Sequence, residues 1–316
     1  MEQNKYVIGV DGGNTKTDLS IADLNGTIIA NLRKGTCSHE ALSDSFEGAE
    51  RTLRGFFDEL HASTGIPKSA VASVALGLAG VDTQQQWEKL DRIVAGIGYP
   101  IHKVINDSYL SIHACSPDGT GICSINGTGA VAGGIDATGK MVQVGGLGTM
   151  TGDYGGGTYI AFKTVEVVYA HLFRNGPTTA LTPKVLEILG VDDLSVIHER
   201  IAERVIETRE YRLPLMQALF SLCGEDAVAT EAVRFIAEEL ANTLIGCAGH
   251  LDFPGRIPVI CAGSIWQKAE TPLMLEHFCE KVQAGLHNRA DITVLKETPV
   301  VGAVKWAVRL YQSQNA

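Results

Sequence analysis

The sequence predicts an α/β protein made of two units of the same design, and two observations carry that expectation. Short apolar and β-branched segments of strand length alternate with longer segments of helical periodicity. The order strand, glycine turn, strand, hairpin turn, strand also appears twice, once near the N-terminus and again from Gly121. The chain has 316 residues, enough for two ordinary domains.

Residues 6–10 form a β-branched run ending in Asp11-Gly12-Gly13, which reads as a strand and a turn. Residues 19–22 and 27–30 flank Asn25-Gly26, a dipeptide suited to a two-residue hairpin. The spacing of Leu42, Phe46, Ala49, Leu53, Phe56, Phe57 and Leu60 predicts a helix that Gly65 stops. A buried strand is expected over 71–78, a helix over 83–97, and a strand at Val104-Ile105 that ends in Asn106-Asp107. The pattern then restarts. Residues 121–125 lead into Asn126-Gly127-Thr128-Gly129, and the segments 130–135 and 141–144 flank a turn at Thr138-Gly139. Helices are predicted over 158–173, 181–189, 194–208 and 226–251. A further buried strand over 259–262 ends at Gly263-Ser264. A last helix starts at Thr298-Pro299, with Thr298 as cap and Pro299 in the first turn.

Composition narrows the function. Hydrophobic residues make up 45% and charged residues 20%, which suits a soluble chain with a sizeable core and no need of disulfide staples. The net charge of −10 and the lack of a Lys/Arg-rich run argue against nucleic acid as a partner. A nucleotide can still bind an acidic protein through backbone N–H groups and a metal ion. The seven cysteines form no CxxC pair, so no zinc or iron–sulfur spacing is present. Cys123, Cys247 and Cys261 lie in apolar runs and read as small core residues of a protein in a reducing compartment. The polar start and the lack of a long apolar run lead to the expectation of a cytoplasmic protein with no membrane partner.

Two glycine motifs mislead. Gly127-Thr128-Gly129-Ala130-Val131-Ala132 fits the dinucleotide-binding pattern, but Gly133-Gly134 and the turn at Thr138-Gly139 leave no room for the helix that motif must open. Residues 134–141, G-I-D-A-T-G-K-M, approach a P-loop yet lack the Ser/Thr that would hold Mg²⁺, so a hairpin turn at 136–139 accounts for them.

Phosphoryl transfer needs backbone donors around phosphates, a metal site and a base near the acceptor hydroxyl. Residues 11–17, D-G-G-N-T-K-T, supply the phosphate side. Gly12 and Gly13 let the backbone approach, Asn14, Thr15, Lys16 and Thr17 extend the loop with polar groups, and Asp11 can hold Mg²⁺ directly or through water. Taken alone, this could equally be an ordinary Asp-Gly-Gly turn. Gly127, Thr128 and Gly129 offer a second set of N–H groups, and Gly263-Ser264 a third loop that could approach the nucleoside.

Together these runs, with Gly152-Asp153 and Gly155-Gly156, resemble the N-acetylglucosamine kinase branch of the BadF/BadG/BcrA/BcrD ATPase family, in the actin/hexokinase/Hsp70 superfamily. The resemblance extends over residues 5–310. It implies two ribonuclease-H-like (actin/hexokinase-type) α/β domains with an interdomain ATP cleft, residues 1–117 and a larger 118–316 with a helical insertion, the last helix packing back on the first domain. It further implies ATP and Mg²⁺ as cofactors, a small-molecule sugar substrate, and a homodimer. Asp107 matches the carboxylate that takes the proton from the sugar hydroxyl, and Asp153 the sugar-binding Asp. Gly145 and Gly146 would present backbone groups to the sugar, with Asn106, Ser38 and His39 also on the substrate side.

The plainer alternatives are that Asp107 caps a helix starting near Ser108, that Asp153 is a turn residue, that Ser38 is the N-cap of the following helix, and that His39 and His113 are solvated or satisfied surface residues. For Trp266, packing is preferred over stacking near adenine. The stretch Thr36-Cys37-Ser38-His39 departs from the family's Ser-Thr-Asn-His-like loop, and Gly155-Gly156-Gly157 from its Gly-Ser, both of which bear on the choice of sugar. The expected reaction is phosphorylation of N-acetylglucosamine at its 6-hydroxyl, with glucosamine or N-acetylmuramic acid as related substrates. The competing class is an ATPase activator of a 2-hydroxyacyl-CoA dehydratase, which would need a cysteine-held iron–sulfur cluster. A sugar-responsive regulator would need a DNA-binding helix-turn-helix ahead of Tyr6.

Overall fold

The computed structural model describes residues 5–269 and 271–314. The chain divides into two compact units, residues 1–121 with 295–316, and residues 122–294.

The first unit is a five-stranded sheet in the order β3-β2-β1-β4-β5. Its strands are β1 (Tyr6–Gly12), β2 (Lys16–Asp23), β3 (Ile28–Gly35), β4 (Val71–Leu78) and β5 (His102–Ile105). Strands β1 to β3 form the expected antiparallel meander, and β4 and β5 join in parallel. The edge strand β3 alternates between half-buried and exposed residues, while β4 inside the sheet is buried along nearly its whole length. Helix α1 (Ser45–Thr64) lays Ala49, Leu53, Phe57 and Leu60 on the sheet and stops at Gly65, whose φ of 68° suits a left-handed cap. Helix α2 (Gln84–Ile97) opens with a capping box between Thr83 and Gln86. A short helix α3 (Leu110–Cys115) follows β5 through a 3-10 turn at Asp107–Tyr109.

The second unit repeats the plan. Strands β6 (Gly121–Asn126), β7 (Ala130–Ile135), β8 (Met141–Gly145), β9 (Ile257–Ala262) and β10 (Ala290–Val294) are ordered β10-β9-β6-β7-β8. Matching β6 to β1, β7 to β2 and so on gives the same order in both sheets, as duplication would produce. Residues 130–135 are a strand, not a helix, which removes the dinucleotide-binding reading. Asp136 accepts from Thr138 and Lys140 and thereby shapes the turn that mimicked a P-loop.

The helices of the second unit are α4 (Gly157–Phe173), α5 (Leu181–Ile188), α6 (Ile197–Ile201), α7 (Arg212–Leu222), α8 (Ala227–Ala248), α9 (Ser264–Lys268) and α10 (Leu273–Gly285). They enclose a large core that includes Ile160, Leu215, Leu219, Ile236, Leu240, Val259 and Phe278. The helix expected over 194–208 is broken into a 3-10 turn, α6 and a wider π-type turn at Ala202–Ile206. That wider turn leaves Val205 in the core and Ile206 in solvent. Cys123, Cys247 and Cys261 are fully buried, as their apolar surroundings predict, and Trp266 packs on Phe278.

The last helix, α11 (Pro299–Gln314), lies in the first unit against β1 and α3. The contact depends on two glycines. A Cβ at Gly9 would fall 2.4 Å from the Val304 nitrogen, and one at Gly302 would fall 2.0 Å from the Leu110 oxygen. Val7, Ala22, Ala75, Val304 and Ala307 fill this second face of the sheet.

Candidate active site

In the first unit the chemistry gathers at the ends of β1, β4 and β5. Strand β1 delivers Asp11 between its partners Asp18 in β2 and Gly77 in β4. The turn after it closes with the Gly13 N–H donating to the Lys16 oxygen at 3.0 Å, and it leaves Asn14, Thr15 and Lys16 in solvent. Neighbouring bonds hold the turn in place. Thr36 Oγ1 donates to the Gly13 oxygen at 2.9 Å, and the Cys37 N–H donates to Thr17 Oγ1 at 3.1 Å. Asp18 is bound by Arg33 through two hydrogen bonds, with Lys16 3.7 Å away.

Asp107 follows β5 after one residue, Asn106, and is the first residue of a 3-10 turn. The helical turn after it is capped by Asn106, whose Oδ1 accepts from the Ser108 N–H at 3.0 Å. The cap role considered for Asp107 therefore belongs to Asn106, which is an extended residue better shaped for it. Asn106 Nδ2 donates to Asp82 Oδ1 at 2.9 Å, so both ends of this amide are engaged within the unit. The Asp107 carboxylate is left facing the phosphate turn, with Oδ2 3.9 Å from where a Gly13 Cβ would stand.

Burial raises the Asp107 pKa to about 6, helped by the negative charge of Asp82 and opposed by the Ser108 and Asp107 N–H groups. Burial likewise raises Asp11 to about 7, with the charges of Asp107 and Asp18 adding and Lys16 and Arg33 subtracting. Both carboxyls are pushed up toward neutrality, and the charge of Asp107 disfavours ionisation of Asp11. A carboxyl that holds a proton this firmly is suited to exchange it for a divalent cation. Among the described residues no cluster of three or more His, Cys, Asp or Glu side chains could cage a metal. Mg²⁺ seldom uses such cages; it binds one or two carboxylates with water and phosphate oxygens, so Asp11 fits it.

Ser38 is not the N-cap of α1, which begins at Ser45 after Asp44. Ser38 instead heads a turn, accepting from Ala41 and Leu42 at its carbonyl and from Glu40 at its hydroxyl. The surface reading of the two histidines also fails. His39 is buried and stacked on Phe46 at 4.1 Å, its Nδ1 without a partner and its ring against Gly80. Burial lowers its pKa. His113 is buried between Trp306, 4.7 Å away, and Arg309, which donates to its Nδ1 at 2.7 Å.

In the second unit the loop Gly127-Thr128-Gly129 follows β6 and is fastened to the start of α4. Gly157 N–H donates to the Gly127 oxygen at 2.8 Å and Thr158 N–H to the Thr128 oxygen at 3.1 Å. The fit explains Gly156, because a Cβ there would lie 2.4 Å from the Gly129 Cα. Gly263, with φ of 100°, passes so close to Asn126 that a Cβ would meet its carbonyl at 2.2 Å, and Ser264 beyond it is exposed.

Asp153 is buried within its own loop. It accepts from the N–H groups of Gly146 (2.8 Å) and Gly148 (2.7 Å) and from Thr151 Oγ1 (3.1 Å). Gly145 turns with φ of 85° beside it, and the Gly146 N–H is committed to this carboxylate. Asp153 therefore organises the loop. The structure brings Asp11, Gly12, Gly13 and Asp107 together in the first unit and Gly127–Gly129 with Asn126 and Gly263 in the second. Sequence reasoning missed Asp82, which neither periodicity nor a motif marks.

A duplicated five-stranded α/β sheet, with a glycine loop after the first strand of each copy, is the architecture of actin/hexokinase-type proteins. The chain belongs to the BadF/BadG/BcrA/BcrD ATPase family, whose sequence model matches residues 8–307. Among curated proteins it is 28% identical over 187 residues to an N-acetylmuramic acid/N-acetylglucosamine kinase of Clostridium acetobutylicum. It is 28% identical over 196 residues to an N-acetyl-D-glucosamine kinase of Dictyostelium discoideum. Each match takes in 58% of this chain, and the chain spans about 60% of the length of these relatives. Among solved structures, one from Chromobacterium violaceum described as a candidate N-acetylglucosamine kinase superimposes with a TM-score of 0.67 at 21% identity, over 98% of this chain and 100% of the other. A ROK family glucokinase from Streptomyces griseus, solved with glucose and AMPPNP, gives 0.56 at 19% identity, over 97% and 99%.

Proposed function

We propose that this protein is an ATP- and Mg²⁺-dependent sugar kinase acting on an amino sugar, with N-acetylglucosamine converted to its 6-phosphate. The observation that carries the reading is the Asp107 carboxylate, free of the helix cap, beside the Gly13 turn. The names of the curated relatives supply the substrate class.

In this reading Asp107 accepts the proton of the sugar hydroxyl as the hydroxyl oxygen attacks the γ-phosphorus. The bond from that phosphorus to the β,γ-bridging oxygen breaks, and ADP leaves. A pKa of about 6 leaves Asp107 mostly ionised at neutral pH yet basic enough to help, the balance a general base needs. The exposed Asn14 and Thr15 of the first turn, and Thr128 and Gly129 of the second loop, carry the backbone N–H groups suited to phosphate oxygens, the Gly13 and Gly127 N–H groups being engaged within their own turns, and the exposed Lys16 adds a positive charge. Asp11 is the residue that would hold magnesium, which when bound neutralises charge on the phosphates. Asp153, Gly145 and Gly146 shape the sugar side through the loop that Asp153 ties together.

A cytoplasmic setting is supported by the free cysteines, several of them buried. Among the described residues no helix is long and apolar enough to cross a membrane. The test is a coupled ADP-release screen over N-acetylglucosamine, N-acetylmuramic acid, N-acetylmannosamine, glucosamine and glucose, with the product's phosphorylated position read by NMR. ADP release that no sugar accelerates would sink the kinase reading.

A further inference from the structure

Arg212, at the start of α7, forms no ion pair among the described residues. Its Nη1 donates to Thr158 Oγ1 at 2.9 Å, its guanidinium lies 5.7 Å from the centre of the Phe162 ring, and its Nε is buried without a partner. Among the described residues no carboxylate pairs with it. Burial lowers its pKa, and the positive charge of Arg209 adds to the effect. A partly buried guanidinium beside a like charge and with no carboxylate partner is relieved by an anion that meets its Nη groups.

Its position indicates which anion. Thr158, which braces Arg212, is the residue whose N–H holds the Thr128 carbonyl. The guanidinium is therefore two hydrogen bonds from the glycine loop. The first turn of α4 holds no acidic residue to offset it. At the root of the same loop the fully buried Asn126 has a second unused donor, Nδ2.

We infer that Arg212 contacts the phosphate chain of the nucleotide, on the side of the Gly127–Gly129 loop. This rests on the nucleotide half of the proposed function and is independent of which sugar is used. The planar fork suits phosphate oxygens, and Thr158 and Phe162 hold it in one orientation before the nucleotide arrives.

The test measures binding of ATP, ADP and adenosine to the full chain by calorimetry, for the wild type, R212Q and R212K. R212Q should weaken ATP and ADP at least tenfold while changing adenosine less than twofold. R212K, which keeps the charge and loses the fork, should weaken ATP by a smaller factor. Equal weakening toward ATP and adenosine means a structural role and overturns the assignment, as does unchanged ATP binding. Should R212Q not fold, the ATP-to-adenosine ratio of R212K decides: a fall supports the contact and an unchanged ratio overturns it. Wild-type protein that binds no ATP overturns the assignment together with the nucleotide reading. Wild-type protein that binds ATP and phosphorylates no amino sugar overturns only the kinase reading.

Discussion

Replacing Asp107 with Asn should move activity and stability in opposite directions. The amide keeps the shape and cannot take a proton, so turnover should fall by about 10²–10⁴-fold, the usual share of a general base, with ATP affinity changed little. Stability follows from the raised pKa. Asp107 titrates from 3.8 when unfolded to about 6 when folded. For an acid raised in this way the ionised form is disfavoured in the folded state. The cost is absent below pH 4 and complete above pH 6. At about 1.4 kcal/mol per unit this approaches 3 kcal/mol, and because the side chain is only partly enclosed we expect about 1–3 kcal/mol. Asp107→Asn should therefore raise the melting temperature by several degrees at pH 7.5 and by almost nothing at pH 4. The rate should follow the same titration. The wild type should lose activity about tenfold per unit below pH 6, while the residual activity of the variant should not show this limb. Coupled ADP release from pH 5 to 8 and thermal melts of both proteins check the set. A variant with over a tenth of the wild-type turnover, or one less stable than wild type at pH 7.5, would refute the reasoning.

Three further outcomes test other parts of the structure. Gly156→Ala is compatible with the backbone, φ being −76°, but its Cβ would strike the Gly129 Cα; the glycine loop should shift and the ATP dissociation constant rise at least tenfold by calorimetry. Gly302→Ala would force α11 away from α3 at the Leu110 carbonyl, and urea unfolding should report a loss of about 3 kcal/mol or more. Burial, and then the Arg309 charge, holds the His113 pKa near 3, against 6.5 when unfolded. Only the unfolded chain takes up that proton between those values, so stability should drop as pH falls below 6.5, by about 2 kcal/mol at pH 5. Denaturant titrations of wild type and His113→Gln at pH 7 and 5 should show a smaller drop for the variant.

What could be read from the sequence was local. The two glycine turns, the strand that presents Asp107 and the hairpin at Asn25-Gly26 each depend on residues adjacent in the chain. What could not be read depends on partners far apart. Nothing near Asp82 or Asn106 announces that they bond to each other. Helix α7 escaped notice because it is buried on several sides and shows no polar stripe; its Pro214 reads as a break, yet it stands in the first turn, where a missing N–H costs nothing. Strand β10 is only five residues long, with Asp291 and Thr293 outward, so its pattern resembles a loop. The broken helix at 194–208 has helical spacing throughout, and the widened turn leaves no mark in composition.

The duplicated sheets carry different chemical groups at equivalent positions. The first strand of the first unit carries Asp11 next to its last residue, with Lys16 and Asp18 in β2, Arg33 beside them and Asp107 two strands away. After the first strand of the second unit the corresponding turn is Asn126-Gly127-Thr128-Gly129, without a titratable group. Asp153 spends its oxygens on its own loop. On the proposed function, proton transfer and cation binding are tuned in the first unit, where burial and then the charges of Asp107 and Asp18 raise Asp11. The second unit supplies directional N–H groups, which carry no proton to lose. With one fixed positive charge added at Arg212, its contribution should stay constant over the pH range in which Asp107 switches.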